Sequence, residues 1–354
     1  MPTGFEKVRG CLAASQIGSA MGAAVEGWPW REIQQRYGRL QQLLEYEHYQ
    51  NGWTRPPGTT EDGIERQRVF LRAIRRAGGR PTADDVAAVW REEVDADKAK
   101  WCMEPFDRRL IGLAKAGVPG PELGRFNPYT NLVSLARSCH PIGLVNAGDP
   151  AHAAADVRSV GRVLQQSLGD GMAWASVVAA GIAAALRPGA TVETVVSAAV
   201  DAGGPPLLGE IRRALAVADG ATDPVAMRET FDAYYSGHGI VYALSHANEI
   251  VSKGLAVFRA TGGNPREAVI TAVNFGRDTD CLAAVAGGLA GALSGTDELP
   301  DAWLAQLDAA TEVNPYTNLK LPIEAQAQIV WDALQAEATR AAGRAETLKA
   351  ILGE

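Results

Sequence analysis

Residues 275–292 read FGRDTDCLAAVAGGLAGA, a loop with two aspartates followed by an unbroken run of alanine, glycine, leucine and valine. The run is too short to cross a bilayer, which takes roughly 18 or more apolar residues. Its small side chains predict a buried helix packed closely against another backbone. Asp278 and Asp280 stand at the mouth of that helix. Carboxylates in such a place must be solvated, paired or bound to a metal. Two positions apart on a bent loop, both can face one ion, and Arg277 is the alternative partner.

A second segment has the same form. Thr59-Thr60-Glu61-Asp62-Gly63 follows a Pro/Gly-rich loop at 51–59 and leads into an amphipathic helix expected over 64–76. Acids at a helix start also serve as caps or dipole partners. Helical spacing recurs along nearly the whole chain. It predicts helices at 10–25, 83–94, 151–166, 172–186, 192–202, 208–218, 225–235, 240–260, 265–275, from about 280 to 293, 301–310 and 323–352, the last with a charged solvated face. Alternating β-branched runs are few, and no long linker or low-complexity segment interrupts the pattern. The fold class that follows is all-α, in a single domain over 1–354.

Composition narrows the function. Of 354 residues, 47% are hydrophobic and 21% charged, and the net charge is −7. No cluster of lysine and arginine offers a nucleic-acid groove, and no segment suits a membrane. The four cysteines form no CxxC pair, and no signal peptide opens the chain, so reduced thiols in a cytoplasm are expected. None of the five histidines has zinc spacing. His238 and His246 would align on one face of a helix that begins early enough. The hexapeptide Asn127-Pro128-Tyr129-Thr130-Asn131-Leu132 recurs as Asn314-Pro315-Tyr316-Thr317-Asn318-Leu319. Such a pair makes either two similar packed turns or two loops at one site rim, with tyrosine rings for stacking.

The stretch 275–292 resembles the GGDTDT-x-A-x-x-A-G-x-x-x-G-A signature of the ADP-ribosylglycohydrolase family. Other segments agree in the family's order. Residues 10–27, through Gly18-Ser19-Ala20-Met21-Gly22 and Glu26, are similar to its N-terminal element. Thr60-Glu61-Asp62 stands at its T-D-D position. His140-Pro141-Ile142-Gly143 with Gly148-Asp149-Pro150 matches its central stretch, and Leu299-Pro300-Asp301-Ala302-Trp303 its closing I-P-x-x-W.

The resemblance implies a compact orthogonal helical bundle holding two Mg²⁺ ions, with Mn²⁺ as the alternative. Metal ligands would be Thr60, Glu61, Asp62, Asp278 and Asp280, and the catalytic acids Glu26, Glu61 and Asp62. Arg277, Tyr129, Asn131 and His140 would contact substrate. The implied activity is hydrolysis of a ribosyl N- or O-glycosidic bond, in a small nucleotide-like molecule or an ADP-ribosylated protein. A non-catalytic relative binding such a ligand is the alternative. The departures bear on substrate. Glu61, Cys281 and Ser19 replace family Asp, Thr and Asp, and 131–137 replaces an N-G-x-x-M-R run that contacts ADP-ribose. Ser167-Leu168-Gly169-Asp170 replaces a T-H-G turn, placing an aspartate where a pyrophosphate is expected unless Arg162 or Arg137 answers it. A substrate smaller than an ADP-ribosylated protein follows.

Overall fold

The computed structural model describes residues 2–48, 51–166, 169–236 and 244–353. It opens with α1 (Gly4–Ala23) and α2 (Trp30–Tyr37), then a hairpin of β1 (Tyr46–Glu47) and β2 (Thr54–Arg55). Next come α3 (Asp62–Ala77), α4 (Ala83–Glu93), α5 (Pro105–Lys115), α6 (Gly120–Leu123), α7 (His140–Val145), α8 (Pro150–Val160) and α9 (Gly171–Ala185). The chain continues through α10 (Val192–Asp219), α11 (Met227–Tyr235), α12 (Ala247–Ala260), α13 (Pro265–Val273), α14 (Thr279–Ser294), α15 (Asp301–Val313) and α16 (Ile323–Leu352). Among the described residues strand is confined to the two-residue arms of the hairpin, so the protein is all-α. Among the same residues no helix is long and apolar enough to cross a membrane.

The centre of the fold is the antiparallel seam between α1 and α14. Small residues recur on α1 every fourth position, at Gly10, Ala14, Gly18 and Gly22, which places them along one ridge of a helix. They lie in turn against Gly291, Gly287, Ala283 and the Thr279–Asp280 backbone. The backbones approach so closely that a Cβ on Gly18 would stand 2.4 Å from the Ala283 carbonyl oxygen, and one on Gly22 2.5 Å from the Asp280 backbone. Thr279 Oγ1 donates to Gly22 O at 2.8 Å and closes the seam at its acid-bearing end. Around it a single cluster of buried apolar side chains runs from Val8 to Ala333.

Most expected helices are present, and the differences have local causes. α1 begins at Gly4, six residues before the expected start, because Thr3 and Glu6 form a reciprocal capping box. The segments expected at 192–202 and 208–218 are one element, kinked where Gly204 takes φ 63° before Pro205 and Pro206. α12 starts at Ala247, not 240: Leu132 and His246 form an antiparallel bridge, and residues 240–243 lie outside the described ones. His246 therefore precedes the helix, and His238 also lies outside the described residues. Four short helices, α2, α5, α6 and α7, are not expected from periodicity. α5 is started by Glu104 as N-cap with Pro105 at its first position.

His140, expected at the substrate, is instead wholly buried in the core. Its Nε2 lies 3.1 Å from Ala284 O, which can only accept, so the proton sits on Nε2. Nδ1 then accepts from Gln67 Nε2 at 3.2 Å. Both nitrogens are used and the ring is held neutral, burial pushing its pKa down to about 4. The unfolded chain takes up a proton below the ordinary histidine value of about 6.5, whereas the folded one does not. Stability is therefore lost as pH falls from about 6.5 toward 4. Thermal unfolding of His140→Gln is expected to show a smaller drop in Tm between pH 7 and 5 than the parent; an equal drop would contradict a neutral buried ring. Gly22→Ala is expected to cost at least about 1–3 kcal/mol in urea unfolding, as an overpacked contact does.

Candidate active site

Three chain elements end at one place. α3 and α14 each point their N-terminal end at it, and the chain leaving α1 carries Glu26 past it. Helix N-termini carry partial positive charge, which favours the acids gathered there.

Glu61 occupies the N-cap position of α3, yet its side chain makes no capping bond. It is turned into the protein by the hairpin. Tyr46 and Arg55 are paired directly across the two strands, which puts their side chains on one face. Tyr46 donates its hydroxyl to Glu61 Oε1 at 2.5 Å, and Arg55 Nε lies 3.2 Å from the same oxygen. Burial pushes the Glu61 carboxyl up to about 8, against the pull of Arg55 and the Tyr46 hydroxyl. Asp62 is held by two arginines. Arg137 Nη2 donates to its Oδ1, and Arg66 Nη2 lies 2.8 Å from its Oδ2. Burial raises the Asp62 carboxyl, but Arg137 and Arg66 outweigh it and hold it at about 2. Arg66 in turn grips Asp107 of α5 through two bonds, at 2.9 and 2.5 Å.

The second cluster is differently served. Asp278 caps α14, accepting from Cys281 N at 3.3 Å. Asp280, in the first turn, accepts from Arg137 Nη1 at 2.7 Å. Asp278 Oδ2 and Asp280 Oδ1 are buried without a hydrogen-bond partner. Burial first, and the charge of Asp280 second, push the Asp278 carboxyl up to about 7. One candidate ligand atom from each of Asp278, Asp280 and Cys281 lies within 4.8 Å of the others. Two buried carboxylates with open oxygens suit a hard divalent cation. The thiol does not: Cys281 Sγ is a soft donor, here accepting from Arg137 Nη1 at 2.9 Å. The residues thus fit an ion on the Asp278–Asp280 side. On the other side Glu61 and Asp62, expected as ligands, face arginines and a tyrosine, while Glu61 Oε2 and Asp62 Oδ2 make no hydrogen bond. Thr60 is buried in the loop before α3 and does not line the cavity.

The cavity beside the acids has a volume of about 300 Å³. Its walls carry Glu26, Glu61, Asp62 and Glu104 together with the aromatic pair Phe106 and Tyr129, 5.7 Å apart. Glu26 has its proton affinity raised by Asp280 first, then by burial and Asp278. Ser245, also in the wall, takes a left-handed φ of 65° and is fixed by Val133 N donating to its carbonyl. Arg277 has φ 64° and turns the chain into Asp278 while bonded to the Trp28 and Gly27 backbone. Non-glycine residues in this region each store on the order of 1 kcal/mol or more, and such strain gathers at functional sites.

Of the four residues expected at the substrate, Tyr129 alone lines the cavity. Arg277 is bound in bidentate fashion by Glu249, at 2.8 and 2.9 Å. Asn131 is exposed, its carbonyl taken by Ala247 N and its side chain by Asp170 N. Asp170 accepts from Trp174 Nε1 and does not reach the cavity, Arg162 pairs with Glu122, and residues 167–168 lie outside the described ones. The two hexapeptides form the same turn, Asn127 and Asn314 each accepting from the backbone two residues on at 2.9 Å. They are not two sides of one rim: Tyr316 packs edge-on against Trp53, and Thr317 donates to buried Glu65. Periodicity did not point to Glu104, Phe106, Arg66, Tyr46 or Arg55. The Glu104-Pro105 start of α5 was the one legible signal among them.

The family model described as ADP-ribosylglycohydrolase matches residues 1–339. Among curated proteins, the ADP-ribosyl-[dinitrogen reductase] glycohydrolase of Rhodospirillum rubrum is 25% identical over 316 residues, covering 88% of this chain and 93% of that protein. Among solved structures, an ADP-ribosylglycohydrolase-related protein complex superposes with a TM-score of 0.66 at 20% identity, over 94% of this chain and 100% of that one. At that identity the likeness is one of fold.

The arginine lattice generates a stability prediction. Arg66→Met leaves Asp62 and Asp107 short of a buried partner and is expected to cost about 3–5 kcal/mol in urea unfolding. Adding Asp107→Leu is expected to recover part of that loss. Additive losses in the double variant would show that the pair does not act as a unit.

Proposed function

The chain belongs to the ADP-ribosylglycohydrolase family and is a hydrolase, and we propose that it cleaves the bond between a ribosyl C1′ and a nitrogen or oxygen leaving group in a nucleoside or simple ribosyl conjugate. The observation that carries this reading is the charge of the cavity wall. Four carboxylates line it, and among the described lining residues the one cation, Arg137, is already shared by Asp62 and Asp280. Diphosphate binding normally uses free arginine or lysine groups, or open backbone N–H groups at a helix start. A volume of about 300 Å³ is also at the small end of ligand cavities.

The chemistry follows from the same residues. Water adds its oxygen to C1′, the glycosidic bond breaks with its electrons going to the leaving group, and that group takes up a proton. The transition state is oxocarbenium-like and cationic, so surrounding carboxylates favour it. Glu26 is the acid suited to take the proton from water: it lines the cavity, no arginine bonds it, and its neighbours raise its proton affinity. Glu61 and Asp62, expected to be catalytic, are tied to arginines and act by fixing the wall of the site. Phe106 and Tyr129 offer ring faces to a base or sugar. Asp278 and Asp280 would hold a divalent ion, Mg²⁺ or Mn²⁺, which would supply Lewis acidity toward sugar hydroxyls.

Glu26→Gln is expected to lower kcat about 10²–10⁴-fold with little change in KM, read as ribose released from ribosides with Mg²⁺ present. Calorimetric titration is expected to give ADP-ribose no advantage over the matching nucleoside. Micromolar ADP-ribose binding that vanishes with the diphosphate would refute the small-substrate reading.

A further inference from the structure

Arg137 approaches the acids along a notch in the first turn of α3. A Cβ on Gly63 would stand 2.6 Å from Arg137 Nε and 2.7 Å from its Cδ, so the absence of a side chain there makes room for the guanidinium. The group then spans the two clusters, with Nη2 on Asp62 and Nη1 on Asp280 and Cys281. Its side chain is only 10% exposed, and arginine keeps its charge in such a place. Asp278 Oδ2 and Asp280 Oδ1 in the second cluster make no hydrogen bond; in the first, Glu61 Oε2 makes none either, and Asp62 Oδ2 has the Arg66 guanidinium beside it.

Arg66 is shared between Asp62 and Asp107, and Glu61 faces Arg55, so Arg137 is the cation that joins the two clusters. Resting on the reading of the site as that of a metal-dependent hydrolase, we propose that Arg137 is a built-in cation of the centre. It takes the position between Asp62 and Asp280 that a second divalent ion would need, so the protein binds one ion, at Asp278 and Asp280.

The test is metal stoichiometry, independent of activity. The full chain, stripped with chelator, is titrated with Mn²⁺ by calorimetry and electron paramagnetic resonance. The parent is expected to bind one ion per chain and give the spectrum of an isolated ion. Arg137→Met is expected to bind two, the first at least tenfold more tightly, since a neighbouring positive charge has been removed. Gly63→Ala keeps the arginine but crowds its guanidinium, and is expected to tighten Mn²⁺ binding in the same direction. Thermal unfolding reports whether each variant folds; if Arg137→Met does not, the parent stoichiometry and Gly63→Ala decide. Two spin-coupled ions in the parent would overturn the inference and leave the hydrolase reading standing. A folded Arg137→Met with one ion at unchanged affinity would overturn it too. No ion in the parent would overturn both this inference and the metal dependence on which it rests.

Discussion

The structure depends on a contact with almost no side chains in it. Where α1 crosses α14, Gly22 meets the backbone of Thr279 and Asp280, and the Thr279 hydroxyl bonds the Gly22 carbonyl at 2.8 Å. Close backbone approach gains many weak dispersion contacts and leaves no volume for rearrangement. It also fixes where the chain emerges at each end: Glu26 leaves α1 and Asp278 enters α14 at one spot. The acids are therefore set by the best-packed part of the protein, although they lie in loops and first turns.

Gathering so many carboxylates in a buried place is unfavourable unless opposite charge is gathered with them. The protein answers with arginines from three unrelated segments, two of them shared between a pair of acids. Arg55 comes from the hairpin, Arg66 from one turn further along α3, and Arg137 from the segment before α7. The result is an asymmetric centre. On the α3 side both acids lie against arginines, whereas on the α14 side Asp280 pairs with Arg137 and Asp278 forms no ion pair among the described residues. The division separates residues that hold the wall from residues able to take part in reaction.

What could be read in the sequence divides along similar lines. α14 and α3 were legible because their signals are local: a loop, acids, then helical apolar spacing. α16 was legible end to end for the same reason. The partners of the acids were not, because Arg137 meets Asp62 across 75 residues and Asp280 across 143, and no local pattern encodes such pairings. The hairpin escaped notice because two-residue strands are too short to show alternation. Arg277 and His140 carried the right chemistry for ligand contact, but Glu249 and the Ala284 carbonyl hold them elsewhere.

The α1–α14 seam has a further consequence. Its small residues repeat every four positions, so the two helices fit together in discrete notches, with poor packing between them. A shift of one notch would carry Asp280 about 6 Å along the axis, at 1.5 Å per residue. Small drifts are blocked because each glycine already touches backbone. The spacing between Glu26 and the aspartates is thus a stepped quantity, not a graded one. Substitutions elsewhere in the core should leave it untouched or abolish it outright, and chemistry in this protein should vary through the residues lining the cavity while the ruler that sets the acids stays the same.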